Sequence, residues 1–361
     1  MSISTSELVR ALSLRDLTDP AQGPHAMQLL LDAIHAAMPA PVRVHRGSPI
    51  VSIADNYDRL GYPPDGAARD ARYTRYVCDS AVLRTQTSAV IPPLLASVTD
   101  DTVLSCPGLV YRRDVIDKHH VGEPHQVDLW RIAPHPLDER DLDDMIARVV
   151  AAALPGRRWS TQAARHPYTR CGRQIDVDGI EIGECGLAAI TQPGQWGLAM
   201  GLGLDRLLML RKGIDDIRLL RATDPRIAEQ MLDLAPYRPV SMMPAVQRDL
   251  SIAVDEPLDG EALGDRVREA LGARADLLES CAMISATPAD QLPPAARARL
   301  GIADGQHNLL IRLVLRAVDR TLTHAECNAL RDDVYAALHQ GRVHTWADPR
   351  NRAGSRVVPR P

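Results

Sequence analysis

An α+β fold in two parts is predicted by three observations. Upstream, Gly108–Asp128 carries a strand-like apolar run and Gly197–Arg206 places glycines just before an apolar helix start. A proline-rich connector, Pro236-Tyr-Arg-Pro239 through Pro244, then interrupts the chain. Beyond it the elements follow the order strand, helix, strands, helix, which is ferredoxin-like. At 361 residues, 45% apolar and 24% charged, the chain is long enough for one large domain and one smaller one. The boundaries are expected at 1–235 for the large part, 236–245 for the linker, 246–342 for the ferredoxin-like part and 343–361 for a basic tail.

Each element has a local reason. Leu109-Val110-Tyr111 reads as a strand, and Arg112 and Asp114, two residues apart, are expected on the same face of its continuation. Gly201 and Gly203 carry no side chains just before the apolar helix start Leu204-Asp-Arg-Leu-Leu-Met-Leu210, so a base or phosphate can approach the backbone. Asp224 as cap with Pro225 at the first helical position opens a helix through Met231. Past the connector, Asp249–Val254 alternates as a strand, Gly260–Leu271 is helical, and Leu309–Arg316 alternates again. Thr323-His-Ala-Glu326 is a capping box for a helix through Leu330, Val334 and Leu338, closed by Gly341.

The upstream segments set one arginine on each of two elements. Arginine stays charged and grips phosphate oxygens in pairs. A carboxylate attacking the α-phosphate of ATP needs such fixed positive charge, a metal, and in-line positioning. Carboxylate activation by ATP is therefore the chemistry the pair suggests, although a GxGxxR pattern alone is weak.

Further segments add specificity: Arg84-Thr-Gln-Thr-Ser-Ala89, His166-Pro-Tyr-Thr169, Glu181-Ile-Gly-Glu-Cys-Gly186 and Gly213-Ile-Asp-Asp-Ile-Arg218. With the two arginine segments they resemble, in order and spacing from about residue 80 to 232, the class II aminoacyl-tRNA synthetases, and specifically the phenylalanine enzymes. Gln247-Arg-Asp-Leu-Ser251 and Arg320-Thr-Leu-Thr-His-Ala-Glu-Cys-Asn328 resemble that family's ferredoxin-fold anticodon-binding domain. The resemblance implies an antiparallel sheet flanked by helices in the large part, a single-chain design of the mitochondrial type, and no separate editing domain. It also implies ATP and Mg2+, an amino acid and a tRNA as partners, with tRNA-Phe expected. Motif 1, normally a dimer interface, is only faintly suggested around Gly61–Tyr76, and the oligomeric state stays open.

Carried over residue by residue, the resemblance implies Arg112 and Arg206 on the α- and γ-phosphates and Glu181 as the acidic residue that helps hold magnesium. Asp114, His120, Pro124, Gly201 and Gly203 are implied at the nucleotide. Ser88, Gln86, Gln126, Asp128, His166, Tyr168 and Ala199 are implied at the amino acid. Several positions depart from the family: Pro124 replaces an adenine-stacking phenylalanine, Gln86 a histidine, Asp128 a glutamate, and His166 and Tyr168 two ring-packing phenylalanines. Arg170 and Glu184 replace glutamate and glycine, and are expected either to pair or to bind a polar side chain. The altered lining keeps two alternatives open, a paralogue that activates another amino acid for a carrier protein or natural-product pathway, and a non-catalytic amino-acid or tRNA sensor. His119, His120 and His125 also suggest a metal cluster, but without thiolates or HxxxH order nucleotide contact is favoured.

Composition excludes little and colours the rest. The net charge of −4 gives no global nucleic-acid signature, though the tail holds Arg342, Arg350 and Arg352 as candidate tRNA contacts. No apolar run approaches the roughly 20 residues that span a bilayer. The six cysteines are scattered, so reduced thiols and a cytoplasmic setting are expected. Only two lysines, Lys118 and Lys212, stand against forty arginines. Phenylalanine is absent altogether, where ordinary aromatic usage would supply roughly a dozen; two alternative readings stay open, freedom of a phenylalanine-handling protein from its own substrate, or lineage drift.

Overall fold

The computed structural model describes residues 2–113, 115–240 and 244–344. Contacts divide the chain into two units, residues 1–112 with 122–238, and residues 113–121 with 239–361.

The first unit is built on a seven-stranded sheet in the order β1-β5-β6-β10-β9-β8-β7. Its strands are β1 (Val42–Val44), β5 (Thr102–Leu109), β6 (His125–Ala133), β7 (Trp159–Ala163), β8 (Thr169–Val177), β9 (Ile180–Ala188) and β10 (Trp196–Gly203). All neighbours run antiparallel except β1 and β5. A small antiparallel sheet of β2 (Ile50–Ser52), β3 (Tyr76–Cys78) and β4 (Ala81–Leu83) belongs to the same unit.

Period-2 alternation gives the large sheet two unlike faces. Val127 and Leu129 on β6 and Leu198, Met200 and Leu202 on β10 are buried on one face. Helices Ala26–Ala36, Glu139–Ala153 and Leu204–Lys212 pack together, the last two against β9 and against β6 and β10 respectively. In Glu139–Ala153 the buried residues Leu142, Met145, Ile146, Val149, Val150 and Ala153 fall on one helical stripe, and Asp138 and Asp141 form a capping box. His25 caps Ala26–Ala36: its Nδ1 accepts from Met27 N at 3.1 Å while Nε2 lies 3.0 Å from Leu220 O.

Two readings of local structure change in this unit. The strand ends at Leu109, so Arg112 lies beyond it. Val110 N and Arg112 N still donate to Pro124 O and Gly122 O, at 2.9 and 2.8 Å, but Pro124 has no N–H to return and the ladder stops. Asp114 lies outside the described residues. The helix capped by Asp224 is one α-turn, Pro225–Ala228, followed by a 3₁₀ turn, Glu229–Leu232. Helix Leu204–Lys212 stands as read, closed by Gly213 in the left-handed conformation at φ 68°. Its last residue, Lys212, is buried, and its Nζ donates to Asp233 O at 2.8 Å, Asp233 Oδ1 at 3.1 Å and Ala235 O at 2.6 Å.

The second unit holds β11 (Val246–Val254), β12 (Leu278–Pro288) and β13 (His307–Leu315) in the antiparallel order β11-β13-β12. Helices Gly260–Leu271 and His324–Leu338 cover its buried face. Both begin as read, under Asp259 and under the Thr323–Glu326 capping box. The second ends at Leu338 with His339 as its cap, so Gly341 does not close it. Gly341 instead sits where a Cβ would lie 2.1 Å from Leu300 O. Segment 113–121 packs into this unit: Ile116 joins its core and accepts from Cys281 N at 2.9 Å, Arg268 donates to Val115 O at 2.5 Å, and Arg113 pairs with Asp265 at 3.0 Å.

Candidate active site

The face of the large sheet opposite the helices arranges the predicted site residues in rows. Residues paired across an antiparallel ladder point to the same face. One row runs Cys106, Asp128, Gly201, Glu184, Gln174 across β5, β6, β10, β9 and β8. The row on one side holds Leu104, Trp130, Ala199 and Gly186, and the row on the other holds Gly108, Gln126 and Gly203.

The Trp130–Ala199 end is packed. Leu60, Val90, Ile91, Leu95, Trp130 and Tyr168 form one buried cluster that includes Ala199. Tyr168 stacks on Trp130 with centroids 5.8 Å apart, and lies 6.5 Å from Tyr62 and 6.1 Å from His166. Burial pushes the Tyr62 phenol up to about 12 and holds the Tyr168 phenol well above its ordinary range, so both keep their protons at neutral pH. Tyr62 donates that proton to Gln86 Oε1 at 2.9 Å, and Gln86 Nε2 donates to Asn56 O at 3.1 Å.

The middle row is polar at its floor. Asp128 is buried and accepts from Thr87 Oγ1 and Ser88 Oγ, each at 2.7 Å, and from Trp130 Nε1 at 3.1 Å. Burial raises its carboxyl above the usual range against the pull of these donors. Beside it, burial pushes the Cys106 thiol up to about 12, which makes Cys106 packing and not a nucleophile. Just ahead of the turn carrying Ser88 stands Arg84, a buried arginine whose Nε donates to Leu109 O at 2.8 Å. Gly108, at φ 144°, leaves the space for it: a Cβ there would lie 2.2 Å from Arg84 Nη2.

The Gly203 end is open. A Cβ on Gly201 would meet only the Asp128 carboxyl group, its oxygens at 3.7 and 3.8 Å, and one on Gly203 only Ile182 O at 3.8 Å. By contrast, a Cβ on Gly186 would lie 2.7 Å from Thr169 Cβ, a glycine demanded by packing. Protein contacts do not demand glycine at 201 or 203, and the cleared strip fits a flat base or a phosphate group laid on backbone. Arg206, in the first turn of Leu204–Lys212, donates to Glu181 O at 3.1 Å and lies 3.8 Å from Glu181 Oε2. Among the described residues no three His, Cys, Asp or Glu side chains cluster as a metal cage. Glu181 as a single carboxylate suits magnesium, which takes few protein ligands and completes its shell with phosphate and water. Arg112 is held by Nε on Thr85 O at 2.8 Å, and its charge reaches the Tyr62 phenol.

The predicted set is thus partly assembled in the first unit. Ser88, Asp128, Gln86, Tyr168, His166, Ala199 and Gly201 share the packed and middle rows or border them, and Gly203 and Gln126 share the open one. Pro124 contributes its carbonyl to Val110. His120 belongs to segment 113–121 of the second unit, its Nδ1 2.8 Å from Asp117. Its neighbour His119 shares that segment, whereas His125 is buried on β6, Nε2 accepting from Leu17 N at 3.0 Å and Nδ1 3.1 Å from Asp205. Arg342, whose N donates to Gly301 O at 3.0 Å, is in the second unit, while Arg350 and Arg352 lie outside the described residues.

One expected pairing changes. Glu184 does not face Arg170: a register shift on β8 between Arg170 and Arg173 puts Arg170 opposite Leu187 and Gln174 opposite Glu184. The partner of Glu184 is His166, with Nε2 3.0 Å from Oε2. The sequence also left Tyr62, Thr87 and Trp130 without roles. Thr87 lies inside the Arg84–Ala89 stretch, beside Ser88, and that adjacency is its signal in the sequence.

Residues 21–231 match the family model described as the tRNA synthetases class II core domain (F). A phenylalanine–tRNA ligase alpha subunit of Prochlorococcus marinus (strain NATL2A) is 33% identical over 52% of this chain and 59% of its own. The chain therefore spans about three-fifths of that relative's length. The chloroplastic/mitochondrial phenylalanine–tRNA ligase of Arabidopsis thaliana is 28% identical over 81% of this chain and 71% of its own. A solved pyrrolysyl tRNA synthetase of Desulfitobacterium hafniense is similar at 16% identity and a TM-score of 0.45, over 60% of this chain and 78% of that one.

Proposed function

The chain belongs to the family of the class II tRNA synthetase core domain, and from that premise we propose that it activates phenylalanine, or a close aromatic analogue, with ATP and transfers it to a tRNA, tRNA-Phe being the first candidate. One observation carries this reading: a single sheet face runs from a ring-lined end at Trp130, Tyr168 and Ala199, through the buried Asp128 with Ser88, to the cleared glycines 201 and 203 beside Arg206 and Glu181. That is the order of parts in an aminoacyl-adenylate: side chain, ammonium, phosphate and base. Relatives named as phenylalanine–tRNA ligases agree with it.

In this reading the ring packs on Tyr168 and Ala199, and Asp128 with Ser88 and Gln126 holds the α-ammonium. The substrate carboxylate oxygen attacks the α-phosphorus of ATP, a new P–O bond forms, and pyrophosphate leaves with the electrons of the broken one. Arg112, anchored on Thr85, fixes charge at the α-phosphate, and Arg206 at the γ-phosphate. Glu181 would help hold Mg2+, which would neutralise phosphate charge. Residues 1–235 supply the catalytic domain, 236–245 a linker, 246–342 the domain that serves tRNA and 343–361 a basic tail, with Arg342, Arg350 and Arg352 as phosphate contacts. No helix among the described residues is long and apolar enough to cross a membrane, and all six cysteines are free thiols, in keeping with a cytoplasmic setting.

The polar ring end, with Tyr62, Gln86, His166 and Glu184, favours a second reading, a paralogue for another amino acid. ATP–pyrophosphate exchange across a panel of amino acids, followed by charging of bulk tRNA, separates the two. Exchange and charging with an aromatic amino acid are expected. Exchange without charging moves the acceptor to a carrier, and absence of exchange leaves a sensor.

A further inference from the structure

Where the middle row borders the ring end, the site holds a carboxylate that a hydrocarbon side chain cannot satisfy. Glu184 stands across Gly201 from Asp128, on the same sheet face, so the two carboxylates flank a bare strip of backbone two strand spacings wide, roughly 10 Å. The charge of Glu184 reaches Asp128, Tyr62 and Tyr168. His166, itself beside Tyr168, lies with Nε2 3.0 Å from Glu184 Oε2, which places that carboxylate next to the rings.

The Glu184 side chain is 44% exposed, so water shares the solvation of its carboxylate with His166. A bound ring that packs on Tyr168 and Ala199, in the row beside Glu184, displaces part of that water. An unsubstituted phenyl ring returns no hydrogen bond, so the lost solvation of the carboxylate offsets part of what the ring contact gains. A ring hydroxyl or amino group donates to a carboxylate that still has lone pairs to accept. We propose that the Glu184–His166 pair makes this site select an aromatic amino acid whose ring carries a hydrogen-bond donor, over phenylalanine itself. The inference rests on the adenylation reading above and names its substrate class. Glu184 is the residue that sets specificity, and His166 positions it.

The test is ATP–pyrophosphate exchange by the full chain with phenylalanine, para- and meta-tyrosine, 4-aminophenylalanine and O-methyltyrosine, repeated with Glu184→Gln and Glu184→Gly. The intact protein is expected to prefer a donor-bearing ring over phenylalanine by tenfold or more in kcat/KM, and to discriminate against O-methyltyrosine, which has the oxygen without the proton. Glu184→Gly is expected to reverse the preference toward phenylalanine, mainly through KM. Should that variant not fold, the profile of the intact protein and that of Glu184→Gln still decide. Phenylalanine used as well as or better than every donor-bearing ring overturns this inference and leaves the adenylation reading standing. A uniform loss across the panel in Glu184→Gln also overturns it, and assigns Glu184 to the shared α-ammonium. Absence of exchange with every amino acid removes the adenylation reading, and this inference with it.

Discussion

The two faces of the large sheet are made from alternate residues of the same strands, yet they obey different rules. On β6, Val127 and Leu129 are wholly buried, while Gln126, Asp128 and Trp130 face the site; on β10, Leu198, Met200 and Leu202 are buried, while Ala199, Gly201 and Gly203 face it. The covered face is filled by interchangeable aliphatic bulk, and its worth lies in volume. The site face is graded from rings, through a buried carboxylate, to bare backbone, and its worth lies in which chemical group stands in which row. A substitution should therefore damage stability on one face and chemistry on the other.

The sharpest break in that comparison is loss of a phosphate-facing charge. Arg206→Ala and Arg112→Ala are each expected to lower pyrophosphate-exchange turnover by a hundredfold or more, on the order of the loss seen when one transition-state donor is removed. Thermal unfolding should move little by comparison, and unchanged exchange in both variants would refute the site assignment.

Leu129→Ala, on the opposite face of the strand that carries Asp128, is expected to lower unfolding stability by about 3 kcal/mol through lost burial and a cavity. The rank order of amino acids in exchange should survive. A changed order with an unchanged denaturation midpoint would show that the faces are not separable.

His25 tests the helical cover by pH. Burial lowers its imidazole from 6.5 to about 4, so as pH falls the unfolded chain takes up the proton first. Its contribution to stability is complete above 6.5 and is expected to fall, by up to about 3 kcal/mol, between 6.5 and about 4. His25→Asn supplies a capping oxygen to Met27 N–H in place of Nδ1 and should flatten that part of the urea-midpoint profile; an unaltered profile would place the acid sensitivity elsewhere.

The smallest expected effect is one of shape. Ala199→Gly removes one methyl from the ring end and should improve exchange with para-substituted phenylalanines by about tenfold, the worth of a methylene in an apolar pocket. No gain for any of them would move the ring away from Ala199.

Local signals were the legible ones. The capping box at Thr323–Glu326, the helix Gly260–Leu271 and the glycines before Leu204 are short-range patterns, and each appears where its pattern predicts. What the sequence hid depends on register and on long loops. Thr87 reaches Asp128 across 41 positions, and no spacing rule connects them. The exchange of Arg170 for His166 as the partner of Glu184 follows from a shift in one ladder, which period-2 patterning cannot reveal. The early end of β5 has the same character, because the proline responsible lies just ahead of the partner strand.

Lys212 has a practical consequence at the bench. With its amine enclosed by three oxygen acceptors and its side chain 1% exposed, it is closed to acylating reagents, and the chain's one other lysine is Lys118. Lys118 keeps 35% of its side chain in solvent, at 3.6 Å from Glu279. A succinimidyl dye applied to the native protein therefore has a single accessible side-chain amine, and a fluorophore can be placed on segment 113–121 without introducing or removing a residue.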